Sequence, residues 1–192
     1  MKFEFSKKEL MDLFITALML ALAFSFLFKG ISLDVILIFP LMLLVVLFSF
    51  IIHEIAHKYF AQKYHYIAEF RANFKFLIVT VLLSLIGYIV AAPGAVYTIG
   101  PDNKRKQGII ALAGPASNIF LAALFLILTI LTPISYLNSV FSHIYFINAI
   151  LGLFNMLPAP GFDGHKVWKW NKLIFFSSGL LALALWSVLL LS

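Results

Sequence analysis

The sequence predicts an all-α polytopic membrane protein with about five to six transmembrane helices and one re-entrant element that combines a helix with a strand. Hydrophobic residues occupy 63% of the 192 positions and charged residues only 11%, and the mean hydropathy is +1.04. Soluble domains average about 45–50% apolar and about 25% charged residues. This composition leaves very little sequence for a soluble domain.

The apolar residues are gathered in six stretches, and most of these approach the ~20 residues that a membrane helix requires. They lie near 12–29, 36–60, 74–98, 108–132, 141–157 and 173–191. The polar segments between them have the length of loops. We therefore expect residues 1–192 to form a single integral membrane domain, with a core at about 36–172 and flanking membrane helices at 12–29 and 173–191.

The basic residues lie in short loops between the apolar stretches, and they account for a net charge of +6. This distribution is typical of membrane topology signals, so we expect a lipid bilayer and no nucleic acid as the partner of the basic loops. The sequence contains no cysteine. Disulfides, thiolate metal sites and a cysteine nucleophile are therefore excluded.

The stretch 74–98 decides how the loops are distributed between the two sides of the membrane. If it crosses, the 14 Lys and Arg residues divide evenly; if it dips in and returns, all except Lys29 fall on the side of the N-terminus. Short-loop Lys/Arg bias is the usual determinant of orientation. It favours the re-entrant topology, with the N-terminus in the cytoplasm.

The residues of this stretch also favour a re-entrant element. β-Branched residues are frequent, Gly87 interrupts the apolar run, and Pro93 with Gly94 would end a helix. The following sequence, AVYTI at 95–99, alternates as a strand does. Extended backbone at membrane depth requires protein or a wet cavity beside it. We therefore expect a helical part followed by a strand.

The sequence HEIAH at 53–57, at the end of the second apolar stretch, indicates metal chemistry. On a helix, His53 and His57 lie on one face. Glu54 is rotated by about 100° from His53 and can reach the open side of an ion without binding it. This is the H-E-x-x-H zinc motif, in which Glu is the general base. Each ionisable residue costs roughly 2.5–3.5 kcal/mol near the centre of a span, and metal binding compensates for that cost. We expect one Zn²⁺ per chain.

The third zinc ligand must be His, Asp or Glu, because cysteine is absent. Asp163 lies in NMLPAPGFDGHKV, where prolines and glycines unwind the helix. In the re-entrant topology it reaches the side on which His53 and His57 end. His165 is an alternative ligand, although a carboxylate that completes two histidines matches a known catalytic set. The two remaining histidines, His65 and His143, are expected not to be ligands.

The three motifs HEIAH, GPASN at 114–118 and NMLPAPGFDG at 155–164 stand in the order found in the site-2 protease family of intramembrane zinc metalloproteases. The resemblance covers about residues 45–170, and the chain is most similar to compact microbial members without a PDZ or CBS domain. It implies His53, His57 and Asp163 as zinc ligands and Glu54 as the catalytic base. It also implies that Asn155 helps to stabilise the oxyanion.

The resemblance further implies that the stretch APGAV belongs to an edge strand against which the substrate is held. The substrate-binding residues are then Gly94, Ala95, Val96, Tyr97 and Thr98. The GPASN helix is expected to pack against the site through its small residues, with Asn118 as a supporting residue. One departure from the family pattern follows Asp163, where this chain reads DGHKV and many relatives have a second glycine and then arginine.

The function that this resemblance implies is regulated intramembrane proteolysis. The zinc-dependent endopeptidase would hydrolyse peptide bonds within or near transmembrane segments of membrane proteins. The expected location is the cell membrane of a microbe, with the site towards the cytoplasm. A zinc-binding membrane scaffold, or a degenerate homologue without proteolytic activity, is the alternative. A metal transporter is disfavoured because the ionisable residues cluster near one face and do not line a pathway.

Overall fold

The computed structural model describes residues 3–89 and 94–188, which are mainly helical. The helices are α1 (Lys7–Lys29), α2 (Asp34–Val46), a π-helical turn (Leu47–Ile51), α3 (Ile52–Lys63), α4 (Phe74–Ser84), α5 (Lys104–Leu131), α6 (Ser135–Asn155), α7 (Asp163–Trp170) and α8 (Lys172–Val188). Two strands, β1 (Ile67–Ala72) and β2 (Gly94–Ile99), form a small sheet. The predicted helical class is confirmed.

Within the described residues, four helices are long and apolar enough to cross a membrane: Lys7–Lys29, Asp34–Lys63, Lys104–Leu131 and Ser135–Asn155. The second of these is continuous through α2, the π-helical turn and α3. The sequence predicted five to six spans. In the two remaining predicted stretches, α4 and α8 are shorter apolar helices within the described residues, and the count of five to six spans stays a prediction. Large apolar side chains are widely exposed on the long helices, among them Ile36 and Ile130, as expected of surfaces that face lipid.

Helix α5 lies at the centre of the part of the fold that carries the candidate site. It packs against α3, α6, α7 and α8. It begins after Asn103, whose side chain accepts a hydrogen bond from the backbone N–H of Lys106 and so caps the helix. Helix α3, which carries the HEIAH motif, is thereby held between α5 and the β-hairpin.

The two strands pair antiparallel, with Ile67 opposite Ile99 at one end and Ala72 opposite Gly94 at the other. The predicted strand at 95–99 therefore exists as β2. Helix α4 ends at Ser84, and Gly87 follows with φ of +83°, in agreement with the predicted interruption. Pro93, the second predicted helix-ending residue, lies outside the described residues.

Strand β1 was not predicted, because its sequence IAEFRA lies in a stretch that reads as a polar loop. Acidic side chains of α1 bind the edge of β1 that faces away from β2. Glu9 Oε1 accepts a hydrogen bond from Phe70 N at 3.0 Å, and Asp12 Oδ2 accepts one from Ala72 N at 3.3 Å. This strand is thus held on both edges by partners distant in the sequence.

A buried ion pair joins α1 and α3 beside this strand. Lys58 is 2% exposed and its Nζ lies 2.6 Å from Glu9 Oε2. The same ammonium group donates a hydrogen bond to Ala68 O at 3.0 Å. Because Lys58 directly follows His57, this ion pair fixes the hairpin against the helix that carries the HEIAH motif.

Candidate metal centre

The side chains of His53, His57 and Asp163 meet at one point between α3 and the start of α7. The two histidine Nε2 atoms are 3.0 Å apart. Asp163 Oδ2 lies 3.0 Å from His57 Nε2 and 3.4 Å from His53 Nε2. Among the described residues, these three form the group that could hold a metal ion, with one ligand atom from each lying within 4.8 Å of the others.

The segment between α6 and α7 brings Asp163 to the histidines. Helix α6 ends at Asn155, and Gly161 has φ of +97°, a backbone conformation that strongly favours glycine. At Gly164, a Cβ atom would lie 2.7 Å from Leu157 O. The glycine therefore allows the beginning of α7 to fold closely against the end of α6.

The outer nitrogen of each imidazole is hydrogen-bonded to an oxygen. His57 Nδ1 lies 2.7 Å from Ile110 O, and His53 Nδ1 lies 2.5 Å from Asn118 Oδ1. A backbone carbonyl can only accept, so His57 Nδ1 carries a hydrogen, and in the neutral imidazole Nε2 keeps a free lone pair. This outer-shell arrangement is typical of metal-binding histidines.

These contacts fit a metal ion. Two Nε2 atoms and a carboxylate oxygen lie 3.0–3.4 Å from one another, where a shared proton or a bound cation offsets the repulsion of their lone pairs. Two histidines and one carboxylate are a ligand set of catalytic zinc. Burial alone raises the pKa of the Asp163 carboxyl, but the attraction of His57 and the contacts with both imidazoles outweigh it. The pKa therefore lies well below its usual range, and the carboxylate remains ionised.

Gly114, the first residue of the GPASN motif, lies directly against the two imidazoles. A Cβ at this position would come within 2.6 Å of His53 Cε1 and Nε2, and it would also collide with His57 Nε2. The sequence analysis expected this glycine to allow close helix packing. In the structure, the absence of a side chain at Gly114 leaves room for the Nε2 atoms of both histidines.

Glu54 is buried beside His53, His57 and Asp163, at 7% exposure. Its Oε2 atom is enclosed and has no hydrogen-bond partner within the described ranges 3–89 and 94–188. Such an unsatisfied buried oxygen is costly. Two adjoining cavities, of about 460 and about 360 Å³, are bordered by Glu54 and His53. Glu54 therefore borders space that could hold a water molecule or a substrate.

The structure brings the predicted substrate strand to the same place. All five residues of 94–98 border the smaller cavity, together with the three residues of the metal group. Asn155 borders both cavities, and its Nδ2 donates one hydrogen bond to Leu151 O at 3.0 Å. Asn118 is fully buried and contacts His53 as described.

The remaining histidines lie outside the metal group of the described residues. His165 borders the smaller cavity, and its Nδ1 faces Pro158 O at 3.3 Å. His65 follows α3 with a positive φ of 65°. His143 contacts the ring of Phe28 edge to face, with centroids 4.9 Å apart.

Sequence reasoning missed two polar residues that are connected to this group through Asn118, namely Asn148 and Ser49. Both are fully buried. Asn148 accepts a hydrogen bond from Asn118 Nδ2 at 2.8 Å and donates one to Ser49 Oγ at 2.8 Å. The sequence contained one signal for Asn148, which places an amide in the apolar sequence YFINAIL of α6. Polar groups inside a membrane are energetically unfavourable and usually have a functional partner.

Comparisons with known proteins agree with the geometry. A protein of Methanocaldococcus jannaschii named "Putative zinc metalloprotease MJ0611" is 43% identical over 182 residues, which cover 93% of this chain and 92% of the relative. "Putative zinc metalloprotease YwhC" of Bacillus subtilis is 28% identical over 147 residues, or 67% of each chain. No family model and no solved structure matches the chain.

The similarity to the archaeal protein extends over nearly the full length of both chains. It therefore includes the HEIAH segment, the GPASN helix and the aspartate loop, which the structure brings together. The chain belongs to the site-2 protease-like family of zinc metalloproteases.

Proposed function

We propose that this protein is a zinc-dependent intramembrane endopeptidase that hydrolyses peptide bonds within or near transmembrane segments of membrane proteins. One observation carries the proposal. Two histidines, an aspartate and a glutamate with an unsatisfied oxygen meet beside a strand edge, at the end of an apolar helix. The names of the two relatives support the zinc metalloprotease part.

In this proposal, His53, His57 and Asp163 hold a single zinc ion. When bound, zinc supplies Lewis acidity, which lowers the pKa of water to around 7 and polarises a carbonyl group. Glu54 takes a proton from the attacking water and passes it to the leaving nitrogen. General base catalysis by a positioned carboxylate contributes typically 10²–10⁴-fold, and Glu54 is buried beside the two histidines.

Asn155 is proposed to donate a hydrogen bond to the developing oxyanion. Its Nδ2 has two hydrogens, and one of these is held by Leu151 O. That bond fixes the amide at the end of α6, where the second hydrogen is available to the cavities. A donor that is already oriented is more effective than one that must reorganise during the reaction.

The register of the hairpin identifies which backbone groups would bind the substrate. Phe70 and Ala72 direct their N–H groups to α1, away from β2. Residues opposite each other in an antiparallel pair share the same orientation. Their partners Val96 and Gly94, and by alternation Thr98, therefore direct their backbone groups to the outer edge of β2.

An extended substrate could add to this outer edge by backbone hydrogen bonds. No third strand pairs with β2 in the part of the chain that the structure describes. The other edge of the hairpin is already bound to Glu9 and Asp12. Strand addition is thus directed to the side that borders Glu54 and the metal group, and it would hold a helical segment in the extended form that cleavage requires.

The hairpin also supports the re-entrant topology and a cytoplasmic site. Strand β1 precedes α4 and β2 follows it, and the two strands pair along their whole length. The chain after α4 therefore returns to the membrane depth of the chain before α4. Helix α4 has 11 residues, or about 16 Å at 1.5 Å per residue, whereas the hydrocarbon core is about 30 Å thick. The end of α3 and the start of α5 are then on one side, and the Lys/Arg bias makes that side cytoplasmic.

The test is metal analysis and cleavage of a tethered transmembrane substrate by the purified protein, with wild type beside Glu54→Gln. We expect both proteins to bind about one zinc per chain, while the variant loses roughly 10²–10⁴-fold in cleavage rate. Asp102→Asn, in an exposed loop, is the control and should cleave normally. Unchanged cleavage by Glu54→Gln would remove Glu54 from its role. A wild-type protein that binds zinc and cuts no membrane substrate would favour the scaffold alternative.

A further inference from the structure

Asn148 lies in the middle of α6, fully buried, and is neither a metal ligand nor a residue that borders the cavities. Its side chain is nevertheless connected to the metal group through Asn118. An amide group in an apolar environment is stable only when its donors and acceptor are satisfied. The directions of its hydrogen bonds therefore show how the Asn148 amide is oriented.

The orientation of the Asn148 amide is fixed by a backbone carbonyl. Its Nδ2 lies 2.8 Å from Ile144 O, which can only accept, and 2.8 Å from Ser49 Oγ. The NH₂ group must therefore point to these two atoms. The oxygen Oδ1 is then directed at Asn118, whose Nδ2 donates to it at 2.8 Å.

The Asn118 amide is fixed in the same way. Its Nδ2 donates a second hydrogen bond to Ser49 O at 3.0 Å, again an atom that only accepts. The oxygen Oδ1 consequently faces His53 Nδ1 at 2.5 Å. A reversed amide would place NH₂ against this nitrogen. The imidazole hydrogen would then be forced onto Nε2, where it would block the lone pair that binds metal.

We propose that Asn148 is a positioning residue that, through Asn118, holds His53 in the tautomer and ring orientation required for metal binding. The two histidines are thus supported differently. His57 is held by the backbone oxygen of Ile110, which no side-chain substitution removes. His53 is held by the side chain of Asn118, which is itself oriented by Asn148 on another helix and by the backbone oxygen of Ser49. The inference rests on the proposed role of His53 as a metal ligand.

The experiment measures metal binding by purified Asn148→Leu, which keeps a similar size and removes the amide. Zinc affinity is measured by competition with a chelator, and the absorption spectrum of bound Co²⁺ reports the ligand geometry. Loss of an outer-shell partner typically costs 10–100-fold in metal affinity. Since Asn148 acts through Asn118, we expect the lower end, about tenfold, with an altered Co²⁺ spectrum. Asn138→Leu removes another amide of α6, which donates to Thr129 O of α5, and it should change neither.

Asn148→Ser is the second variant, in case leucine prevents folding. The serine hydroxyl can bond back to Ile144 O but is too short to reach Asn118, so helix α6 remains satisfied while the relay is broken. We expect the same loss of zinc affinity. Wild-type affinity in a folded Asn148→Ser or Asn148→Leu protein would overturn the inference. These measurements need no substrate, so a chain that binds zinc through this relay yet never cleaves would refute the proposed function and leave the inference intact.

Discussion

The helices that carry the candidate metal group and the β-hairpin are built on opposite principles. Around the two histidines, the contacts are made by buried side chains. Their hydrogen-bond donors and acceptors can pair in one way only, as in the relay from Asn148 through Asn118 to His53. In the hairpin, contacts are made mainly by backbone groups, and alternate side chains of β2 are exposed. Catalysis requires fixed geometry, whereas a strand edge can bind many sequences because every substrate has the same backbone.

Helix α1 connects these two regions without contributing a ligand. Its acidic residues bind the N–H groups of β1, and one of them also binds Lys58, the residue after His57. A helix that the sequence places at the flank therefore sets the position of the hairpin, with its proposed substrate strand β2, relative to the candidate metal group. The following predictions separate the two regions, from the largest expected effect to the smallest.

Glu9→Gln should detach the hairpin and spare the metal group. The two carboxylate oxygens of Glu9 accept from Phe70 N and Lys58 Nζ, whereas a glutamine amide has one acceptor oxygen and no charge. The variant therefore leaves the buried charge of Lys58 uncompensated. Removing one partner of a buried ion pair costs about 3–5 kcal/mol. We expect thermal unfolding in detergent to shift downwards and cleavage to be largely lost, while the remaining folded protein still binds zinc. Asp34→Asn, at an exposed position, is the control. Equal stability of the two variants would show that α1 does not anchor the hairpin.

Gly114→Ala should damage the metal group and spare the hairpin. The added methyl group would collide with both imidazoles, and overpacking of this kind costs typically 1–3 kcal/mol. We expect a loss of zinc affinity of roughly 10- to 100-fold, measured by chelator competition. Gly179→Ala, where nothing lies within 4 Å of the new atom, should bind zinc normally. Normal zinc binding by Gly114→Ala would contradict the contact with the histidines.

Thr98→Pro should weaken substrate binding alone. Proline removes an N–H that points to the outer edge of β2, and edge positions tolerate proline. Loss of one hydrogen bond is worth about 0.5–1.5 kcal/mol, so kcat/KM for a transmembrane substrate should fall roughly two- to tenfold, with unchanged zinc affinity. Thr98→Val keeps the N–H and should cleave as wild type does. If valine is as harmful as proline, the side chain and not the backbone edge is responsible.

His65→Gly should have the smallest effect, and it should raise the free energy of unfolding. His65 adopts a left-handed conformation after α3, and Tyr66 N bonds back to Ala61 O at 2.9 Å. Such a conformation costs a non-glycine residue roughly 1–2 kcal/mol, part of which is offset by the greater freedom of glycine in the unfolded chain. We expect stabilisation of up to about 1 kcal/mol. His143→Gly, inside α6, should instead destabilise by about that amount; destabilisation by both would refute the strain at His65.

The parts that could be predicted are those encoded by local pattern. His53 and His57 are four residues apart on one helix, the apolar runs mark the long helices, and the alternation of AVYTI indicates β2. The placement of Asp163 followed from the ligand types available and from topology. The structure brings these residues together.

The parts that could not be predicted depend on partners far away in the sequence. Strand β1 has a polar sequence and is held by acids about 60 residues earlier. Asn148 is 30 residues from Asn118 and 99 residues from Ser49, so no local spacing connects them. The proximity of Gly114 to the imidazoles likewise depends on how α5 crosses α3.

Zinc content of purified protein tests the central claim most directly, in wild type, Asp163→Ala and His165→Ala. The arrangement of two histidines and one aspartate predicts about one zinc per chain in wild type and in His165→Ala, and almost none in Asp163→Ala. Zinc bound to Asp163→Ala as tightly as to wild type, or lost on removal of His165 alone, would contradict it.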